Sequence, residues 1–205
     1  MAIIHKTTMS PGKLELLAAW LPAQPWYLPT GRPPALARAG GFRLDDPEGE
    51  VGIEFMVVTD TSGEEPTAYH VPLTYRGAPL AGAEAALVGT TEHGVLGRRW
   101  VYDGPHDPVL AAQLLALFHG RAVPQAQSLS DTPDPTVTAR YDGPDPAVAD
   151  ADADARAGAD ADALTVTRVL GNAAPATGSL GEVTAGWTGP DGTAHRGVFA
   201  SLAAR

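Results

Sequence analysis

Apolar residues recur along this chain at two periods, and the periods divide it into helices and strands. Leu14, Leu17, Ala18 and Leu21 fall at helical spacing, which gives one apolar face to a helix over 11–21. Ser10 and Pro11 read as a cap with proline at the first helical position, and Pro22 ends the helix. Residues 22–35 are rich in Pro and Gly and read as an extended loop anchored by Trp26 and Tyr27. Alternation then takes over. Strands are predicted over 37–44 and 50–59, the second carrying Val51, Ile53, Phe55 and Val57. Thr67, Tyr69, Val71, Leu73 and Tyr75 alternate along another, where Pro72 points to an edge or a bulge. The expected result is an antiparallel meander with one face packed on the first helix.

The remainder follows the same logic. Residues 2–7 suggest a short strand, and 85–88 with 95–102 a strand pair turning near Glu92-His93-Gly94. Asp107-Pro108 reads as a second helix start, Leu110, Leu114, Leu117 and Phe118 as its apolar face, and Gly120 as its stop. Residues 122–135 are polar and aperiodic. Strands are expected at 136–141 and from Leu164 to Leu170. Segments 182–187 and 195–199 flank Thr188-Gly189-Pro190-Asp191-Gly192 as a hairpin. The tract from about 145 to 162 alternates Ala with Asp and has almost no bulky apolar residue. Burial cannot offset its ordering entropy, so a disordered linker is expected.

Composition narrows the function more by exclusion than by assignment. The chain has no Cys, so disulfides and thiolate metal sites are excluded. The N-terminus lacks a basic region followed by an apolar one, and no apolar run reaches membrane-spanning length. The expectation is a soluble cytoplasmic protein without membrane association. Net charge is −10, but residues 142–162 hold seven Asp against one Arg and account for most of it. Lys6 and Lys13 are the only lysines. Without a basic stripe, nucleic-acid binding is not expected.

Three stretches point to a family. They are Leu14-Glu-Leu-Leu-Ala-Ala-Trp-Leu-Pro-Ala-Gln-Pro-Trp-Tyr27, Tyr69-His-Val-Pro-Leu-Thr-Tyr-Arg76 and Val101-Tyr-Asp-Gly-Pro-His-Asp-Pro108. In this order and spacing they resemble the N-terminal cap domain of actinobacterial maltokinases, over about residues 14–120. Those enzymes phosphorylate maltose with ATP, and the cap precedes an aminoglycoside-phosphotransferase-like kinase body. The resemblance implies an α+β fold: a cystatin-like antiparallel sheet packed on an N-terminal helix, with a second helix and a small C-terminal β-rich portion. The expected division is a cap-like domain over 1–121, a loop with the Ala/Asp tract over 122–162, and a C-terminal hairpin portion over 163–205 packing on the first. In the family the residue before the second Trp is commonly Arg. Here it is Pro25, so a cationic contact is expected to be lost.

Kinase chemistry needs a cation on the nucleotide phosphates, ligands for magnesium and a positioning residue for the acceptor hydroxyl. No Lys follows Lys13, and neither a His-Gly-Asp loop nor an Asp-Phe-Glu segment is present. The resemblance therefore carries over no catalytic residue. The expectation is a stand-alone, non-catalytic cap without a cofactor or metal. Its expected partner is a sugar kinase or an enzyme of α-glucan or trehalose metabolism; the alternatives are a module binding a small sugar or sugar phosphate, and a kinase subunit completed by a second chain. The candidate partner surface is Trp20, Gln24, Trp26, Tyr27, His106 and Asp107.

Each remaining motif has a plainer reading. Gly178-Ser-Leu-Gly-Glu-Val183 lacks the Lys and the helix of a phosphate loop and reads as a turn, against a degenerate remnant of a kinase N-lobe. His106-Asp107 suggests an acid/base pair or half a metal site, against a helix cap with His106 packed at its entrance. His5, His70, His93, His119 and His195 show no ligand spacing. The Asp tract lacks the spacing of a calcium loop. Trp20, Trp26, Tyr27 and Trp100 suit sugar stacking, against core packing and loop anchoring.

Overall fold

The computed structural model describes residues 8–129, 131–143, 163–171 and 178–204. The strand expected at 2–7 and the Ala/Asp tract lie outside the described residues. In chain order the elements are β1 (Met9–Ser10), α1 (Lys13–Trp20), β2 (Leu36–Leu44), β3 (Gly52–Asp60), β4 (Thr67–Arg76), β5 (Leu87–His93) and β6 (Gly97–Asp103). Then come α2 (Pro108–Phe118), β7 (Gln125–Ala126), β8 (Thr138–Tyr141), β9 (Leu164–Val166), β10 (Ser179–Thr188) and β11 (Ala194–Ala203). The strands pair antiparallel in the order β1-β5-β6-β4-β3-β2-β10-β11-β9, with β7 on β2 and β8 on β10. The fold is α+β, with its first helix near the N-terminus and a small C-terminal β portion.

Most element starts follow the sequence logic, and the exceptions have local causes. α1 begins after Gly12 rather than at Ser10-Pro11, because Ser10 is already paired in β1 opposite Glu92. The Glu15 carboxylate accepts from the Gly12 N–H at 2.6 Å and takes up a donor that the first turn leaves free. α2 starts as its sequence indicates: Asp107 accepts from the Val109 N–H, with Pro108 behind it. Its end is a Schellman motif around Gly120 at φ +68°, in which the Gly120 N–H reaches Leu117 O and the Arg121 N–H reaches Ala116 O. Gly178-Ser179-Leu180-Gly181 is not a turn between strands: β10 begins at Ser179.

The single packed face expected for the meander is replaced by two. Every residue of β3 from Ile53 to Asp60 is buried. Its even positions Met56 and Val58 meet Leu17 and Leu21 of the α1 region, together with Tyr69, Val71 and Leu73 of β4. Its odd positions Ile53, Phe55 and Val57 meet Leu110, Leu114, Leu117 and Phe118 of α2 and the apolar side chains of β10 and β11. A strand covered on both faces reads as a near-continuous apolar run, which is what Ile53–Val58 is, apart from Glu54.

The odd face is covered because the sheet comes back on itself. β10 joins β2 where Trp187 lies opposite Gly40. There β2 carries a bulge between Arg38 and Gly40. Gly41 sits at φ +125°, and a Cβ there would lie 2.0 Å from the Phe55 carbonyl oxygen. β11 follows β10, and β9 follows β11. The chain leaving β9 then reaches the far edge of β4: the His70 N–H donates to Arg168 O and the Leu170 N–H to Ala68 O, both at 2.9 Å. Tyr69 faces Val169 in this antiparallel bridge. Pro72 falls between this contact and the pairing of Leu73–Arg76 with β6, where the donor it lacks has no partner to serve.

Inside the ring, Phe42 stacks on Phe55 with centroids 4.4 Å apart, and Phe199 lies 4.4 Å from the His70 ring. Trp187 closes the group against Phe199. His70 is buried, and its Nδ1 lies 2.9 Å from the Thr167 carbonyl oxygen. A carbonyl only accepts, so Nδ1 carries the proton. Burial pushes the His70 pKa down to about 3, and the nearby Arg168 charge adds to this against the pull of the carbonyl.

Two predictions follow from this interior. His70 binds its proton in the unfolded chain near pH 6.5 but only near pH 3 in the folded one. Its contribution to stability is therefore complete above about pH 6.5 and is lost progressively as pH falls toward 3. His70→Gln keeps an N–H donor but does not titrate. Urea unfolding between pH 4 and 6 should show its stability changing less steeply, by up to about 1.4 kcal/mol per pH unit. Equal slopes would mean that the ring titrates normally. Gly41→Ala should cost about 3 kcal/mol, since both its φ and the Phe55 carbonyl oppose a side chain. Thermal melts within 2 °C of each other would contradict this.

Candidate functional site

The 20–35 loop is held by hydrogen bonds in place of regular structure. Its prolines remove donors, and several of the donors that remain are taken. The Gln24 N–H bonds Leu21 O and the Tyr27 N–H bonds Gln24 O. The Gln24 side chain donates to Trp20 O at 3.3 Å, and the Leu28 N–H donates to the Tyr69 hydroxyl at 3.0 Å.

The anchor beneath the loop is Asp60, at the end of β3. It accepts from the Tyr27 hydroxyl and from the N–H groups of Ala35 and Ser62, each at 2.9 Å. Burial works to raise the Asp60 pKa, but the donors of Ser62, Ala35 and Tyr27 outweigh it and hold the carboxyl below its usual range. Burial and the Asp60 carboxylate push the Tyr27 hydroxyl up to about 12.

Trp26 is half-buried in an aromatic group. Trp20 meets it nearly edge-on with centroids 5.8 Å apart, and Tyr69 lies 6.0 Å away. The Arg168 guanidinium sits over the Trp26 ring, 4.9 Å from its centroid. The same guanidinium makes a bidentate pair with Asp103, at 2.8 and 2.7 Å. The residue before Trp26 is Pro25, and the cation over the Trp26 ring comes from a distant segment.

The candidate residues separate into groups. Trp20, Gln24, Trp26 and Tyr27 come together, but Tyr27 is turned inward and is only 7% exposed. Trp20, Gln24 and Trp26 keep partly exposed surface, and Leu28 beside them is 50% exposed. His106 joins this group through Asp103, with its Nε2 3.8 Å from Oδ2. It is mostly exposed on the short 3-10 turn before α2 rather than packed at the helix entrance. Asp107 belongs elsewhere. It is buried and grips Arg76 through two bonds of 2.6 and 2.7 Å. Burial opposes its ionisation, but Arg76 and the Val109 N–H hold its pKa below the usual range.

A fourth carboxylate, Glu54, is buried under the other end of α1. It takes Lys13 Nζ at 2.5 Å, the Tyr75 hydroxyl at 2.6 Å and the Gln127 amide at 2.8 Å. Burial raises its pKa, but the Lys13 charge and the three donors win and lower it. Among the described residues no His, Cys, Asp and Glu gather as a metal-binding group. Trp100 packs against Ala83, Ala86 and Tyr102.

Sequence reasoning missed Arg168 and Asp103. Arg168 is the one charged residue in the alternating run 163–171, and a charge inside an apolar strand is a signal for a specific partner.

With this geometry established, the chain can be compared with known proteins. Residues 20–107 match the family model of the maltokinase N-terminal cap domain. The stretch runs from Trp20 to Asp107 and includes β2–β6, Trp26, Asp60 and Asp103, but not α2, Arg168 or the C-terminal strands. It is less than half of the chain, and over it the chain resembles that cap domain. No curated protein matches the chain.

The Arg168–Asp103 pair is largely buried, at 15% and 6% side-chain exposure. Breaking such a pair leaves a desolvated charge, so Asp103→Asn should cost about 3 kcal/mol. Urea midpoints read this directly, and a loss below about 1 kcal/mol would show that the pair is solvated.

Proposed function

We propose that this chain is a non-catalytic, cap-like module that docks on an enzyme of sugar metabolism. Its partner is a sugar kinase of the maltokinase kind or an enzyme of α-glucan or trehalose turnover in the cytoplasm. The observation that carries this reading is the match of residues 20–107 to the maltokinase cap. Among the described residues no helix is long and apolar enough to cross a membrane.

The chemistry of the buried carboxylates supports the reading. Glu54, Asp103 and Asp107 are each neutralised by a cation of the same chain, and Asp60 is saturated by hydrogen-bond donors. Groups so committed hold the fold together. A general base, in contrast, needs a lone pair within reach of a substrate proton. A sugar-binding reading is weaker, because Arg168, Trp20 and Tyr69 already crowd the ring of Trp26.

The docking surface is the outer side of the loop, where Trp20 and Leu28 offer apolar area on a rigid base. Rigid aromatic anchors are the side chains most often decisive at interfaces. The test is a tagged capture from the native host, with Trp20→Ala/Leu28→Asp alongside. The wild-type chain should recover a sugar kinase or glucan enzyme, and the variant should lose at least about 90% of it. Recovery of the bait alone, or equal recovery by the variant, would overturn the reading.

A further inference from the structure

The far edge of β4 is used twice. Its Leu73–Arg76 half carries β6. Its Ala68–His70 half carries the segment Thr167–Leu170, through the two backbone bonds of 2.9 Å and the Nδ1 contact to the Thr167 carbonyl. Beside that edge lies a socket for one side chain. Asp103 closes on the Arg168 fork, and Trp26 covers the guanidinium. Leu170 fills an apolar site and is 6% exposed.

This is the chemistry by which a sheet edge recognises a peptide. Main-chain bonds hold any extended segment, while pockets beside the edge select particular side chains. Here the selected side chain is an arginine. Asp103 takes it bidentately, which lysine does not reproduce, and the Trp26 face favours the planar guanidinium. The Ala68–His70 edge, Asp103 and Trp26 lie within residues 26–103, inside the stretch that matches the cap. The occupant lies outside it.

We propose that the Ala68–His70 edge of β4, with Asp103 and Trp26, is a strand-accepting seat that this chain fills in cis with Thr167–Leu170. An extended, arginine-bearing segment of a partner protein is its occupant in trans. The partner displaces two backbone bonds, the Nδ1 contact and one ion pair and regains the same set, so contacts are conserved and the cost of association decides the exchange. The cis segment sets the threshold: the apparent affinity of the incoming strand is reduced by the fraction of molecules whose seat is open. This seat adjoins the Trp20–Leu28 surface through Trp26 but does not depend on which enzyme docks there.

The probe is a fluorescein-labelled peptide with the sequence of residues 163–171, titrated against the full chain carrying Arg168→Ala and Leu170→Pro. These changes remove the cis guanidinium and the Leu170 N–H donor. Saturable binding is expected, at least about tenfold tighter than to the wild-type chain. It should be lost when the peptide itself carries Arg168→Ala. No saturable binding to a variant with native near-ultraviolet circular dichroism would overturn the seat. A concentration-dependent dimer that the peptide dissociates would put a second copy of this chain in the partner's place and overturn the assignment of the occupant. Hydrogen exchange on the wild-type chain decides independently of the variant's folding. The His70 and Leu170 amides should exchange through a local opening that leaves Met56 and Val58 protected. Exchange of all four only at the rate of global unfolding would mean that the segment is not exchangeable.

Discussion

A sheet with both faces covered leaves its backbone groups nowhere to find water, so each strand edge near the core needs a partner. The seam between Thr167–Leu170 and β4 answers that demand in this protein. It joins the end of β9 to β4 and so closes the ring formed with β3, β2, β10 and β11. The closure brings Phe199 of β11 onto His70 and completes a stack whose Phe42 and Phe55 already face each other across β2 and β3. The seam also explains the state of His70. Burial among aromatic neighbours and the Arg168 charge hold its pKa below the ordinary value, although the Thr167 carbonyl pulls the other way.

Closure makes its own electrostatic demands. Arg168 enters a partly desolvated site, and an isolated charge there is worth several kcal/mol against folding. Asp103 and the Trp26 face offset that penalty, and the bidentate geometry is the one that recovers most of it. Glu54 with Lys13 and Asp107 with Arg76 solve the same problem at other joints of the fold. One ties α1 to β3 and the other ties α2 to β4. Apolar packing supplies the driving force for each joint, and the ion pairs fix its geometry.

The local signals in the sequence were readable where one side chain decides the outcome. Asp107-Pro108 and Gly120 bracket α2 because a cap, a fixed φ and a left-handed residue act within single turns. The hairpin around Thr188–Gly192 is local in the same sense. Alternation located β3 but misled about its surroundings. Val51, Ile53, Phe55 and Val57 mark one apolar face, yet Met56 and Val58 are just as buried. What covers the odd face comes from α2 and from β10 and β11, the last two more than a hundred residues away, and no periodicity encodes those pairings. The site was legible to the same extent. Trp20, Gln24, Trp26 and Tyr27 are neighbours in sequence and remain neighbours in space. Arg168 and Asp103 are sixty-five positions apart. The only trace of their meeting was a charge in an apolar run.

The boundary of the cap resemblance also has a physical meaning. Residues 20–107 contain β2–β6 and the loop with its anchors, so the even face of β3 meets side chains that mostly belong to the matched stretch, with the leucines of α1 before Trp20 and Val169 outside it. The odd face does not. Ile53, Phe55 and Val57 are covered by α2, β10 and β11, all of which lie beyond Asp107. Exposing three such side chains forfeits about 1.5–3 kcal/mol each, comparable with the whole stability of a small domain. The matched stretch alone therefore cannot be the folded unit of this chain. The cap-like stretch and the residues after it thus share one core, and the second face of its sheet is filled by its own chain.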